Sequence, residues 1–151
     1  MSQIDAATLA ALQVTFLEES FEGLDRAETG LLQLADDPDP EVIGELFRVI
    51  HSIKGGAGAF GVTEVTELAH VMENLLDDLR SGTLPTAEGC AALLAGVDEL
   101  RATLREPAEA RVLRAATHHE ICEKIVACRA AGKAAPKAPV SVELVAPPAV
   151  A

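Results

Sequence analysis

His51 and Lys54 stand three residues apart, and Glu73 lies on the next segment of helical periodicity with His70 three residues before it. A neutral imidazole has one nitrogen carrying a proton and one free to attack. If Glu73 accepts the Nδ1 proton of His51 in a hydrogen bond, the tautomer is fixed and Nε2 becomes the more basic nucleophile. Lys54 would then offset charge on an incoming phosphoryl group. His70 either shapes this network or lies on the exposed face beside it. Transfer of a phosphoryl group needs little covalent chemistry from a protein; it needs position and electrostatics. These residue types at this spacing point to phosphoryl transfer onto an imidazole.

Helices must position these groups. Val14, Leu17, Phe21, Leu24 and Leu31 follow a helical stripe from residue 5 to about 35, stopped by "DDPDP" at 36–40. Asp39 and Pro40 then serve as N-cap and first residue of a second helix reaching Ala59, with Ile43, Leu46, Phe47, Ile50 and Ile53 as its apolar stripe. Thr63 can cap a third helix whose stripe is Leu68, Met72, Leu75 and Leu79 and which stops near Ser81 and Gly82. A fourth opens around Thr86 with Leu93, Val97, Leu100 and Leu104 inward. Pro107 closes it and starts a fifth carrying Val112, Leu113, Ala116, Ile121 and Ile125. Helical geometry places His51 roughly 120° and Glu73 roughly 110° from the centres of their stripes. On antiparallel neighbours these two flanks can meet at one groove.

Four glycines crowd residues 55–61, and Gly56, Gly58 and Gly61 match the spacing G-x-G-x-x-G. A dinucleotide site needs a buried parallel strand before the first glycine and a helix after it. The preceding "ELFRVIHSIK" has helical periodicity, so the match is accidental. Gly55 and Gly56 fall one turn beyond His51, where missing side chains give a large partner access to the ring.

Composition supports helices: 49% of the 151 residues are hydrophobic, yet there are four Phe and no Tyr or Trp. The net charge is −12, and residues 1–79 carry sixteen acidic side chains against Arg26, Arg48 and Lys54. Such a surface repels phosphate backbones, which argues against nucleic acid. Three cysteines without disulfide spacing predict reduced thiols and a cytoplasmic location. No secretory signal or membrane-spanning run is expected. After Gly132, "KAAPKAPVSVELVAPPAVA" changes to Pro and Ala without a stripe. The expected architecture is all-α, an antiparallel four-helix bundle with an additional fifth C-terminal helix over residues 1–132, followed by a linker or disordered tail at 133–151.

"HSIKGGAGAFG" followed by "LAHVMENLLDDLRSG" closely resembles the N-terminal phosphotransfer (HPt) domain of CheA-type chemotaxis histidine kinases. The motifs cover residues 47–82, and the helical pattern extends the likeness to about residue 130. The resemblance implies that His51 accepts the γ-phosphoryl group of ATP from a separate kinase catalytic domain. It implies passage of that group to an aspartate of a CheY-like response-regulator receiver. Lys54, His70 and Glu73 match the family's hydrogen-bonding neighbours of the histidine. No cofactor is expected in this domain; ATP and Mg2+ belong on the kinase partner, and Mg2+ on the receiver.

Three other readings account for part of the pattern. A helical docking module without chemistry would use the acidic face alone. A stand-alone relay protein would keep the chemistry but be loaded by a receiver aspartate; the details of residues 51–78 argue against it. In "THHEICEKIVACRA", His118, His119 and Cys122 have spacings that place ligands on one helical face, but Cys128 does not complete a zinc pattern and no metal site is expected.

Overall fold

The first two helices start where a carboxylate takes up a free N–H group. Asp5 accepts from the Thr8 amide at 2.7 Å and opens α1 (Ala6–Asp36). Asp39 accepts from the Glu41 amide at 2.9 Å and, followed by Pro40, opens α2 (Pro40–Ala59), as the sequence predicts. The start of α3 (Thr63–Ser81) differs from expectation. Val62, not Thr63, is its N-cap, and no side chain caps it. The Val62 amide instead donates back to the Ala57 carbonyl at 2.8 Å, so a tight backbone turn joins α2 to α3. Gly82 ends α3 with φ 78°, a left-handed conformation that a side chain would oppose. Then come α4 (Thr86–Arg105), the one-turn α5 (Ala108–Arg111), a 3-10 turn at Val112–Arg114, and α6 (Ala115–Ala134). The computed structural model describes residues 3–84 and 86–134, and no strand occurs among them. The expected tail at 133–151 lies outside the described residues, except that Lys133 and Ala134 end α6.

Helix α1 packs against α2 and α4, and α3 packs against the same two, which closes a four-helix ring. Arg101 of α4 reaches Asp25 and Glu28 of α1, each at 3.0 Å, while Arg105 lies over the Phe21 ring. Rising numbers on α4 meet falling numbers on α1, so the two run antiparallel. Leu24, Leu31, Ile50, Leu68, Met72, Leu75, Leu93 and Leu100 fill the interior. This is the expected antiparallel bundle, and burial of its leucine-rich stripes is its main source of stability.

Helix α6 lies across α3 and α4. Arg129 pairs with Asp78 at 2.6 Å, Cys128 lies beside the Glu88 carbonyl, and Ile125 is fully buried. The fifth helix of the sequence reading is therefore broken in two. Val112 and Leu113 fall in the 3-10 turn between the pieces, and both are exposed rather than part of a stripe. Val14 is also exposed, against expectation. Its helix has 31 residues, whereas α2 and α4 have 20 each, so the first turns of α1 overrun the helices that would cover them. Among the described residues no helix is long and apolar enough to cross a membrane.

Candidate functional site

Residues three apart on a helix share a face, and α2 accordingly projects His51 and Lys54 to one side. That side meets α3 at Glu73. The His51 Nδ1 lies 2.7 Å from Glu73 Oε2, and the Lys54 ammonium donates to Glu73 Oε1 at 2.6 Å. One carboxylate thus bridges the two residues that the sequence singles out on the neighbouring helix. Its side chain is 8% exposed, whereas the His51 side chain is 64% exposed.

The electrostatics fix the proton. Burial pushes the Glu73 carboxyl up, but the hydrogen bonds and charges of Lys54 and His51 outweigh it and hold the group below its ordinary value. An ionised carboxylate only accepts. The Nδ1 of His51 is therefore the donor, and the lone pair of the neutral ring resides on Nε2. Among the described residues no side chain or backbone group bonds that nitrogen. Lys54, expected to offset phosphate charge, is 26% exposed at its side chain and lies beside the same carboxylate as His51. Its bonded partner is Glu73.

Two further expected residues fall elsewhere. His70 sits one turn before Glu73 on α3, exposed, and makes no side-chain hydrogen bond or ion pair among the described residues. Gly55 opens onto empty space, with nothing within 4 Å of where a Cβ would stand. Gly56 does not face the site. A Cβ there would overlap the Phe16 ring of α1, so this glycine is required by close helix packing rather than by partner access. Phe16 in turn rests on Phe60, with ring centroids 5.4 Å apart.

Helical spacing puts Phe47 on the apolar stripe of α2, yet it is only partly buried and its ring stacks on His51. Its place one turn before His51 was visible in the sequence; its contact with the imidazole was not. The residues weighed for zinc do not assemble. His118 is buried against Thr103 and Glu99, His119 is exposed beside Glu123, and no group of three or more His, Cys, Asp or Glu suited to a metal occurs among the described residues.

Residues 11–103, spanning most of α1 through α4, match the family model described as the Hpt domain. The chain is similar to the chemotaxis protein CheA of Rhizobium meliloti, with 46% identity over 87 residues, 56% of this chain and 12% of that protein. It is 49% identical over 71 residues to the chemotaxis protein CheA of Salmonella typhimurium, covering 46% of this chain and 11% of that one. The chain thus spans only a small part of the length of the curated relatives it matches. Among solved structures it is similar to the phosphorylated P1 domain of CheA3 in complex with CheY6 from R. sphaeroides. That match has a TM-score of 0.63 and 28% identity and covers 78% of this chain and 98% of the other.

Proposed function

The chain belongs to the Hpt domain family, and from that premise we propose that it is the phosphotransfer domain of a CheA-type chemotaxis kinase system, with His51 as its phosphoryl acceptor. The observation that carries this reading is an exposed imidazole whose Nδ1 is held by a buried carboxylate while Nε2 is unbonded. The relatives are chemotaxis proteins CheA by name, and the similar solved structure is a phosphorylated P1 domain of CheA3 in complex with CheY6.

In the first step the Nε2 lone pair attacks the γ-phosphorus of ATP held on a separate kinase catalytic domain. An N–P bond forms, the bridging P–O bond breaks, and ADP leaves with that electron pair. The ring gains positive charge as the bond forms, and the Glu73 carboxylate beside Nδ1 stabilises it. Lys54 keeps Glu73 ionised and in place. In the second step a carboxylate oxygen of a CheY-like receiver attacks the phosphorus, the N–P bond breaks, and its electrons return to Nε2. ATP and Mg2+ are held by the kinase domain, and a second Mg2+ by the receiver.

The test mixes the chain with a CheA-type kinase catalytic domain and labelled ATP, in parallel with His51→Gln. Acid-labile, base-stable label on the wild type alone, chased onto an added receiver, is the expected result. Label that persists in His51→Gln overturns the assignment of His51. No label on either chain, from a kinase active on its own substrate domain, moves the reading to a docking module. Loading only from a phosphorylated receiver moves it to a stand-alone relay.

A further inference from the structure

One hydrogen bond does not fix the plane of an imidazole, because the ring can still pivot about its Cβ–Cγ bond while Nδ1 stays near Glu73. In-line attack requires more, since the Nε2 lone pair lies in the ring plane and must point at phosphorus. Something has to set that plane on a side chain this exposed.

The Phe47 ring lies 6.1 Å from the His51 ring, centroid to centroid, with the planes only 12° apart. This is the near-parallel, offset spacing that aromatic pairs prefer. The two residues are one helical turn apart, so the backbone of α2 holds the pair in register. From α3, the Arg80 guanidinium lies over the same Phe47 ring, 5.5 Å from its centroid, and Arg80 is itself paired with Asp77. The phenyl ring is thus held by contacts from both helices that build the site. We propose that Phe47 is a positioning residue for phosphoryl acceptance, setting the plane of the His51 ring while Glu73 sets its tautomer, with Arg80 steadying Phe47 from α3.

This inference rests on His51 being the acceptor, and its test separates the two. In the free domain, the carbon-bound ring protons of His51 should show an aromatic ring-current shift by NMR. Phe47→Leu, which keeps an apolar side chain of similar bulk, should remove the shift without changing the Nδ1–H tautomer seen by nitrogen-15 spectroscopy. Against a CheA-type kinase domain, Phe47→Leu should lower kcat for phosphorylation roughly three- to tenfold with KM for the domain nearly unchanged. Phe47→Tyr should restore kcat to within about twofold, because it keeps the stacking face. Arg80→Ala should give a smaller loss in the same parameter. Thermal melts establish that each variant is folded, and Phe47→Tyr serves as the informative variant if Phe47→Leu is not. Unchanged kcat in folded Phe47→Leu overturns the proposal, as does a loss carried by KM, which would make Phe47 a kinase contact. If wild-type His51 takes no label at all, the proposed function fails, whereas the ring-current arm still decides whether the stack exists.

Discussion

Two histidine–glutamate–cation clusters occupy this bundle, and they are nearly the same in composition. At one, His51 meets Glu73, which is held by Lys54. At the other, where α6 crosses α4, the His118 Nε2 lies 2.6 Å from Thr103 Oγ1 and 3.3 Å from Glu99 Oε2, and Arg114 forks onto Glu99 at 2.6 and 2.9 Å. Both carboxylates are buried. The histidines differ: His118 is 8% exposed, against 64% for His51. Their free nitrogens differ as well. Thr103 donates to Glu99 and its oxygen accepts from the His118 Nε2–H, so the nitrogen that is open on His51 is occupied on His118. A histidine, a carboxylate and a cation therefore do not make a reactive site. The difference lies in which nitrogen is tied down and whether solvent or a partner reaches the other.

The largest expected effect breaks this pairing outright. His51→Gln should abolish phosphorylation by a CheA-type kinase, while His118→Gln should leave the initial rate within about twofold of wild type, since α6 does not line the site. Radiolabel transfer on the two variants side by side is the measurement. Comparable losses in both would mean that α6 takes part in kinase recognition and that the clusters are not functionally distinct.

The carboxylates sharpen the comparison at the next scale. Glu73→Gln should cut the phosphorylation rate by roughly a hundredfold, the low end for loss of a preorganised group aimed at charge that develops in the transition state. A neutral amide can present its N–H to the ring and favour the wrong tautomer, as well as losing the stabilising charge. Glu99→Gln should instead cost about 1–3 kcal/mol of stability, because it weakens a buried charge-assisted fork, with little change in rate. Denaturant melts and initial rates on both variants decide it. A rate loss in Glu99→Gln as large as that in Glu73→Gln would contradict the division of labour.

The adjacent glycines offer a smaller contrast of the same kind. Gly56→Ala pushes a methyl into the Phe16 ring and should cost about 1–3 kcal/mol unless that ring shifts. Gly55→Ala meets nothing within 4 Å and should stabilise α2 by about 0.5–1 kcal/mol. If Gly55 keeps the approach to His51 open, the same variant should slow transfer to a receiver even as its melting temperature rises. A stabilised Gly55→Ala with unchanged transfer would leave Gly55 no part in access.

What the sequence made legible here follows from the regularity of a helix. Fixed rotation per residue turns spacing into direction, so the flank positions of His51 and Glu73 could be worked out separately and their meeting anticipated. The same arithmetic placed Leu93, Val97, Leu100 and Leu104 inward, and all four are buried. What needed tertiary structure was missed. Gly56 has its reason on another helix, in Phe16. Spacing puts Phe47 on the apolar stripe of α2, and only the structure shows its ring beside His51. The buried His118 cluster depends on how α6 lies across α4, which no periodicity within α6 reveals. The exposed first turns of α1 continue a sound stripe, and only the shorter length of the neighbouring helices leaves Val14 uncovered.

Acid should separate the two clusters, with the smallest effect and the clearest sign. Burial pushes His118 below its ordinary value of 6.5, Glu99, Glu64 and Glu67 push it the other way, Arg114 adds to the lowering, and the net shift is downward. The unfolded chain therefore binds a proton near pH 6.5 that the folded chain refuses. Stability from this group is complete above that pH and declines as the pH falls below it. Glu73, held below its ordinary 4.5, contributes stability that is complete above about that pH and is lost as the pH falls through its lowered folded value. Melting temperatures measured from about pH 7.5 to about pH 3.5 should show two declines, each of a few degrees at most. His118→Gln should flatten the upper one and Glu73→Gln the lower. A wild-type melting temperature that rises as the pH falls toward 6.5 from above, with the rise lost in His118→Gln, would mean that Glu99 and its acidic neighbours overcome burial. The buried cluster would then be a true ion pair, and its contrast with the site would rest on access alone.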